Sequence, residues 1–527
     1  MSAECIFAID LGTSGPKVAL VDRGGRVLAS GVAPTEVRTL PGGGAEQDPE
    51  AWWAAIVAAA RACMETAPEV AVAAVAVTAQ WSGTVAVDAK LRPLRPAILW
   101  MDTRGAAALA RRLGGPLRVA GYGPVALARW IERTGGAPGH AGKDPLAHIL
   151  YLADAEPDTY DRAALFLEPK DYLNARLTGV AAAGFDSIAL HWVTDNRDAA
   201  HVRYDDDLLR MAGLDRAKLP DLRPATSVLA PLAPEPARAL GLPAGIPVTM
   251  GTPDVHAAAL GAAGGRDFAA HVYLGTSSWC VAHVPFKKTD LLRNMASLPS
   301  ALPGRYLLLD EQETAGAALT FLRDKVLFSP AFGAGPPPDD FFARLDALAD
   351  QADVGAGGLC FGPWLYGERT PVEDPHVRGG FVGLSLDHGP PHLARAVLEG
   401  IAMNTRMLVG AVERFCGRPL RVLRLAGGGA RSRVFARIYA DVLGRTIEAV
   451  EDPVHVGVRG VSALAFIALG ALDPDALSDE IPLAFTVHPD ETRAARYDGL
   501  YDEFRRTFRF LRRRARRLHR LHAATPS

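Results

Sequence analysis

One short segment occurs twice in this chain. The apolar run Ile6-Phe7-Ala8-Ile9 stops at Asp10-Leu11-Gly12-Thr13-Ser14-Gly15 and resumes as Val18-Ala19-Leu20-Val21. About half a chain later, His271-Val272-Tyr273-Leu274 stops at Gly275-Thr276-Ser277-Ser278 and resumes as Cys280-Val281-Ala282. Each reads as a β-hairpin with a Gly/Thr/Ser tip. A repeat on this scale predicts two similar halves, each opening with the same hairpin. The 527 residues are enough for two domains, and the boundary is expected near residues 250–268, giving domains 1–258 and 259–527.

Between and beyond the hairpins, strands are expected at residues 72–77, 85–87, 97–100, 164–167 and 246–250. Helices are expected at 49–64, 105–113, 170–177 and 255–263. Alternating strands and helices predict an α/β architecture. Residues 139–145 and 329–338 read as surface loops. Near the C-terminus, Phe504, Phe508, Leu511 and Leu518 recur at helical spacing among many arginines, which predicts a helix docked by its apolar face with a solvated basic side.

Composition excludes several partners. Lys+Arg 57 against Asp+Glu 59 leaves a net charge of −2, so no global field favours nucleic acid or a membrane surface. The longest apolar stretch, around residues 71–79, falls short of the ~20 residues of a membrane span. The first residues lack the basic head and long apolar core of a signal peptide. Five cysteines without a CxxC or zinc-like spacing argue against a disulfide framework or a structural metal, and the reducing cytoplasm is the expected compartment.

The hairpin tips carry the first chemistry. A Gly-Thr-Ser turn exposes backbone N–H groups and hydroxyls, and two such turns can grip one triphosphate, although a single one would be an ordinary turn. Lys17 adds a cation beside the first tip, and Asp10 at the strand end is placed to hold Mg²⁺ directly or through water. A Walker A loop is absent, because Gly142-Lys143 is followed by Asp144 and Ala137 stands where the first glycine should be. G-x-S-x-G and G-x-G-x-x-G are also missing, so nucleotide binding must use the paired hairpins.

Three further segments stand out. Met250-Gly251-Thr252-Pro253-Asp254 ends a strand and presents one carboxylate at a helix start, where Asp254 is either an N-cap or a general base for a hydroxyl. Gly427-Gly428-Gly429-Ala430 follows a strand and either turns the chain or lets a flat ring lie on bare backbone. Gly367-Glu368-Arg369-Thr370-Pro371 is followed by Gly379-Gly380-Phe381 and an apolar helix, which suggests close loop–helix packing.

Taken in order, these segments resemble the FGGY carbohydrate kinases of the actin/Hsp70/hexokinase-like superfamily, over roughly residues 5–470. The resemblance adds Glu46-Gln47-Asp48-Pro49, Trp100-Met101-Asp102-Thr103-Arg104 and Pro169-Lys170-Asp171-Tyr172-Leu173 to the segments above. Residues 96–100 and 169–173 are most similar to the xylulose kinases. The resemblance implies two ribonuclease-H-like (actin-like ATPase) domains around a cleft, with ATP and Mg²⁺ between the hairpins and the sugar held mainly by the N-terminal domain. It implies that Asp254 is the catalytic base, and that Asp10 serves the metal. ATP would meet Gly12, Thr13, Ser14, Lys17, Gly275, Thr276, Gly316, Gly428, Gly429 and Ala430. A homodimer is common in the family.

Departures concentrate on the sugar side. Gln80 is followed by Trp81-Ser82 where xylulose kinases have Met-His, and Asp254 is followed by Val255 where Asn or Gln is usual. His148 and Tyr151 replace the usual Lys and Trp. Gln80, Trp81, Ser82, Asp102 and Arg104 are the sugar-contact candidates, with core packing the alternative for Trp81 and a structural ion pair for Asp102/Arg104. The expected activity is phosphorylation of a ketose, first D-xylulose. Another pentulose, a sugar acid, a polyol such as erythritol or glycerol, a non-catalytic sugar or nucleotide sensor and an actin-like filament protein are the alternatives.

Overall fold

The computed structural model describes residues 4–113, 117–119, 121–329, 331 and 335–523. The expected loop at 329–338 therefore lies partly outside the described residues, as does Met1–Ala3 of the N-terminal segment.

The first sheet is built from β1 (Glu4–Gly12), β2 (Gly15–Asp22), β3 (Val27–Val32), β4 (Ala71–Ala79), β5 (Val228–Pro231) and β6 (Pro247–Thr249), in the order β5-β6-β4-β1-β2-β3. The pairs β1–β2, β2–β3 and β5–β6 are antiparallel, and β4 runs parallel to both β1 and β6. A two-residue strand at Thr252–Pro253 adds to β4. Central strand β1 is buried on both faces, which its unbroken apolar run requires, and Asp10 is the one carboxylate in its buried part.

Helix α1 (Pro49–Glu65) covers one face of this sheet. Asp48 caps it by accepting from Glu50 N, Pro49 occupies the first turn, and Trp52, Ile56, Ala59, Ala60 and Cys63 form its buried stripe. Helix α2 (Pro169–Thr178) packs beside it and ends on the left-handed Gly179.

The chain then enters helix α3 (Asp254–Ala263) and a second sheet. Its strands are β7 (Ala270–Leu274), β8 (Ser278–Val284), β9 (Thr289–Asp290), β10 (Met295–Pro299), β11 (Tyr306–Gln312), β12 (Val422–Ala426), β13 (Thr446–Val450) and β14 (Leu483–Val487), in the order β9-β10-β11-β8-β7-β12-β13-β14. Around its hairpin the order is that of the first sheet: β7 pairs antiparallel with β8, β8 with β11, and β7 runs parallel to β12. The duplication seen in the tips thus extends to sheet topology, giving two α/β domains of the actin-like kind.

Helix α4 (Pro390–Cys416) is the spine of the second core, with Val397, Ile401, Leu408 and Val412 buried. Helix α5 (Val456–Ala468) leaves the second sheet and packs on β1, β2 and β4 of the first, while α3 packs on β7, β8 and β12 of the second. The two helices meet backbone to backbone. A Cβ on Gly261 would stand 2.0 Å from Val456 O, and one on Gly460 would stand 1.8 Å from Ala257 O, so neither position tolerates a side chain. Buried Arg459 reinforces the contact by donating to Gly25 O, Gly261 O and Glu451 O.

The last helix, α6 (Glu491–Ala523), docks Phe504 and Phe508 on Trp364 with ring centroids 5.0 and 4.7 Å apart, as its spacing predicts. Leu518, expected on that face, is 42% exposed, because the docked stripe ends near Leu511. All five cysteines are free thiols. Among the described residues no helix is long and apolar enough to cross a membrane.

Candidate active site

The base candidate is held by a framework rather than by its own loop. Strand β6 is followed by Met250, whose carbonyl accepts from both Lys170 Nζ (3.0 Å) and Asn174 Nδ2 (2.7 Å) of α2. Lys170 is itself paired with buried Asp171, and Thr252 donates its hydroxyl to Asp186. The segment Pro169-Lys170-Asp171 thus anchors the turn that leads into Asp254. Pro253 takes the N-cap position and Asp254 is the first helical residue, so the N-cap reading of Asp254 does not hold. Its Oδ1 accepts from Val255 N at 2.9 Å, and the backbone of Trp81 also donates to it. Burial, with Asp10 nearby, pushes its carboxyl up to about 7, while Lys17 opposes the shift.

Asp10 lies across the β1–β2 pair from Lys17, whose Nζ is 3.6 Å from Oδ2. Asp10 in turn raises the lysine, with burial opposing. Asp10, Lys17 and Asp254 therefore form one electrostatic group where the two domains meet, and Tyr273 of the second hairpin joins it: burial raises its hydroxyl, Lys17 lowers it, and Asp10 and Asp254 raise it further.

The tips differ in what they leave open. At the first, Ser14 is exposed and Gly12 half-buried, but the Thr13 hydroxyl is engaged inward, donating to Gln80 Oε1 (3.0 Å) and accepting from Trp100 Nε1 (3.1 Å). Gln80 also donates to Gln47 Oε1 (2.9 Å), and Gln47 donates to Thr13 O (2.8 Å). Gln80, expected on the sugar, is thus a buried brace that joins the first hairpin to the sugar-side loop. At the second tip Thr276 is exposed, while its carbonyl accepts from Ala315 N and Ala317 N. Gly316 N donates to Gly275 O at 2.8 Å, and a Cβ at Gly316 would stand 2.5 Å from that oxygen, which explains a glycine there. In the triple-glycine turn Gly428 faces open space, Gly429 rests on Leu274, and Ala430 turns its methyl into the core, leaving only backbone for a ligand.

The other sugar-side candidates divide. Trp81 donates from Nε1 to Ser187 O (3.0 Å) and stands edge-on to His256 at 4.9 Å, leaving the indole half-buried at the cleft. Ser82, held at φ 66°, donates to Lys143 O at 3.0 Å. Asp102 and Arg104 are a structural ion pair: Asp102 Oδ2 accepts from Ala45 N (2.9 Å) and Arg104 NH2 (2.6 Å), and Arg104 also reaches Glu46 (2.7 Å) and lies over the Tyr151 ring. Burial pushes Asp102 up, but these donors hold it below the usual carboxylate range. The pair shapes the wall instead of facing it.

Sequence reasoning missed five residues. Trp100 is 40% exposed beside Thr13. Tyr273 and Trp279 stack at 4.5 Å on the second sheet. Lys143, expected in a surface loop, is half-buried; burial raises the Glu311 carboxyl, and the charges of Arg369 and Lys143 oppose that shift. Only Trp100 carried a signal, as the aromatic that opens Trp100-Met101-Asp102.

A carboxylate at the edge of the usual titration range, a lysine-flanked aspartate and two paired backbone tips can activate a hydroxyl opposite a polyphosphate. Residues 5–261 match the model of the FGGY family of carbohydrate kinases, N-terminal domain, and residues 270–469 match its C-terminal domain. A xylulose kinase of Escherichia coli is 31% identical over 96% of this chain and 99% of its own. An erythritol kinase of Brucella abortus is 29% identical over 95% of each. The crystal structure of a gluconate kinase from Lactobacillus acidophilus superposes with a TM-score of 0.83 at 23% identity, covering 97% of this chain and 99% of its own. With both family domains matched along most of its length, the chain belongs to the FGGY family of carbohydrate kinases and is a phosphotransferase.

Proposed function

We propose that this kinase transfers the γ-phosphoryl group of ATP to a terminal hydroxyl of a ketose, with D-xylulose the first candidate, and that Asp254 is its base. The observation that carries this reading is the position of Asp254: it opens the helix that joins the two domains, beside Asp10, with its carboxyl raised to about 7 by burial and Asp10. A base of that pKa can take a hydroxyl proton near neutral pH and keep it from water.

ATP would supply the phosphoryl group, and Mg²⁺ bound with it would offset the negative charge of the phosphates. The residues present fit such a metal. Asp10 offers a carboxylate beside Lys17, and among the described residues no cluster of three ligating side chains forms a dedicated cage, as suits an ion carried mainly by phosphates and water. Lys17 and the backbone of the two tips bind and orient the phosphates, with Gly316 bracing the second. Gly428 and Gly429 flank the base ring. Trp81 and Ser82 meet the sugar, and Gln80 transmits the position of the first tip to them. In this reading the division into 1–258 and 259–527 separates the sugar side from the adenine side.

The full-length similarity to a xylulose kinase supports D-xylulose. A polyol such as erythritol is the second reading, supported by the full-length similarity to an erythritol kinase and by Val255, which stands where Asn or Gln is usual. The test is ADP release by the purified protein with MgATP across D-xylulose, other pentuloses, erythritol, glycerol and D-gluconate, with Asp254→Asn as control. Turnover of a ketose above the others is expected. ATP binding without turnover of any of them overturns the reading in favour of a sensor.

A further inference from the structure

The second tip is held from behind. Gly275 O accepts from Gly316 N (2.8 Å), and Thr276 O accepts from Ala315 N and Ala317 N (both 3.0 Å), so the turn after β11 sets where the tip stands. That turn is anchored at its first residue by a side chain from elsewhere: Glu313 N donates to Oε1 of Glu368 at 3.3 Å. The same oxygen accepts from Arg369 N (2.9 Å), and Oε2 accepts from Asn404 Nδ2 of α4 (2.7 Å). Gln312, the last residue of β11, donates to Asn404 O at 2.8 Å, so strand end and turn are tied to one residue of α4. Glu368 is only 3% exposed; burial pushes its carboxyl up to about 7, and its three donors oppose the shift.

The network fits a carboxylate at 368 and not an amide. Trp364 Nε1 donates to Asn404 Oδ1 at 2.9 Å, and an indole N–H can only donate. That fixes the Asn404 amide with Nδ2 toward Glu368. A glutamine at 368 would set its NH₂ against either Asn404 Nδ2 or the backbone donors Glu313 N and Arg369 N. The turn that carries Glu368 is also held from outside. Glu368 and Asp374 exchange backbone hydrogen bonds (3.0 and 2.8 Å), and Asp374 Oδ2 accepts from Arg512 Nε of α6 at 2.9 Å.

We propose that Glu368 is a positioning residue for the second tip, acting through Glu313 N on the turn that carries Gly316. Its consequence for ATP rests on the reading of that tip as part of the nucleotide site. Glu368 then tunes ATP affinity without touching ATP, which gives the Gly367–Pro371 segment a task beyond loop–helix packing.

The test compares wild type, Glu368→Gln and the double variant Glu368→Gln/Asn404→Asp. In the double variant the carboxylate moves to 404, where it accepts from Trp364 Nε1 and from the new amide, whose oxygen still takes Glu313 N and Arg369 N. Every hydrogen bond of the network is thereby kept. Glu368→Gln should raise the Kd and KM for ATP by ~10-fold and leave the KM for D-xylulose or erythritol, whichever is turned over, within ~2-fold. Hydrogen exchange over residues 274–277 and 313–317 should quicken. The double variant should restore both ATP affinity and slow exchange. If Glu368→Gln does not fold, Glu368→Asp, which draws the carboxylate one methylene back from Glu313 N, is measured in its place and should shift in the same direction. A single variant that melts lower with unmoved exchange at these residues overturns the proposal, as does an equal rise in the KM for ATP and for the sugar. Faster exchange that the double variant reverses, with ATP affinity unchanged throughout, upholds the brace and takes the second tip out of the nucleotide site.

Discussion

Gly457 stands so close to Asp10 that a Cβ built on it would lie 2.6 Å from the carboxylate Oδ2. The two residues come from different domains, and the contact sets the start of α5 against the carboxylate assigned to the metal. A helix N-terminus there adds partial positive charge where the phosphates are expected.

Gly457→Ala should therefore displace Asp10 without unfolding the chain. A shift of about 1 Å in such a group lowers turnover by ~100-fold. The expected result is a lower kcat and a higher Mg²⁺ requirement at an unchanged melting temperature; an unaltered Mg²⁺ titration would separate Asp10 from the metal.

Asp254→Asn should remove turnover by a factor of ~10²–10⁴ while ATP still binds. In wild type, kcat/KM should rise with pH through about 7 as Asp254 loses its proton. The stability effect has the opposite sign. The folded carboxyl keeps its proton up to about pH 7 and the unfolded one releases it near 3.8, so this group favours folding below 3.8 and progressively less as pH rises to 7. The Asn variant should melt higher than wild type at pH 8, and a wild-type melting curve there would contradict the assigned shift.

Thr276→Val keeps the shape of the second tip and removes its exposed hydroxyl. Loss of a hydrogen bond to a charged phosphate, worth ~1.5–3 kcal/mol, should weaken ATP binding by roughly tenfold or more. Equilibrium binding of ATP to the purified variant checks this, and an unchanged Kd would take that hydroxyl out of the nucleotide site.

Lys170→Met tests the anchor under the base. It would leave buried Asp171 without its partner and take one donor from Met250 O. Breaking a buried pair in this way costs about 3–5 kcal/mol, so a large drop in the denaturation midpoint is expected, together with a loss of kcat in whatever remains folded.

The hairpins and α1 were legible because their signals are local: Gly/Thr/Ser tips, a capping Asp48 and an apolar stripe at helical spacing. Asp254 was locally ambiguous, and the turn that leads into it is braced at a carbonyl, Met250 O, held by side chains some eighty residues earlier in the chain. Gln80 and the Asp102/Arg104 pair carry polar groups suited to a sugar, yet partners at Gln47, Ala45 and Glu46 consume them. Lys143 and Glu311 were invisible for the converse reason, since a loop and a strand far apart in the chain come within electrostatic reach only in the folded protein.

The glycine contact between α3 and α5 also acts as a fulcrum. Helices that touch through bare backbone can pivot about the point of contact but cannot slide without clashing. Asp254 and Gly457 lie at the starts of these two helices, beside the pivot, whereas Thr276 lies on a hairpin tip. In a rotation about that contact Asp254 and Asp10, the proposed base and metal carboxylate, would sweep shorter arcs than Thr276 and would stay aligned with each other.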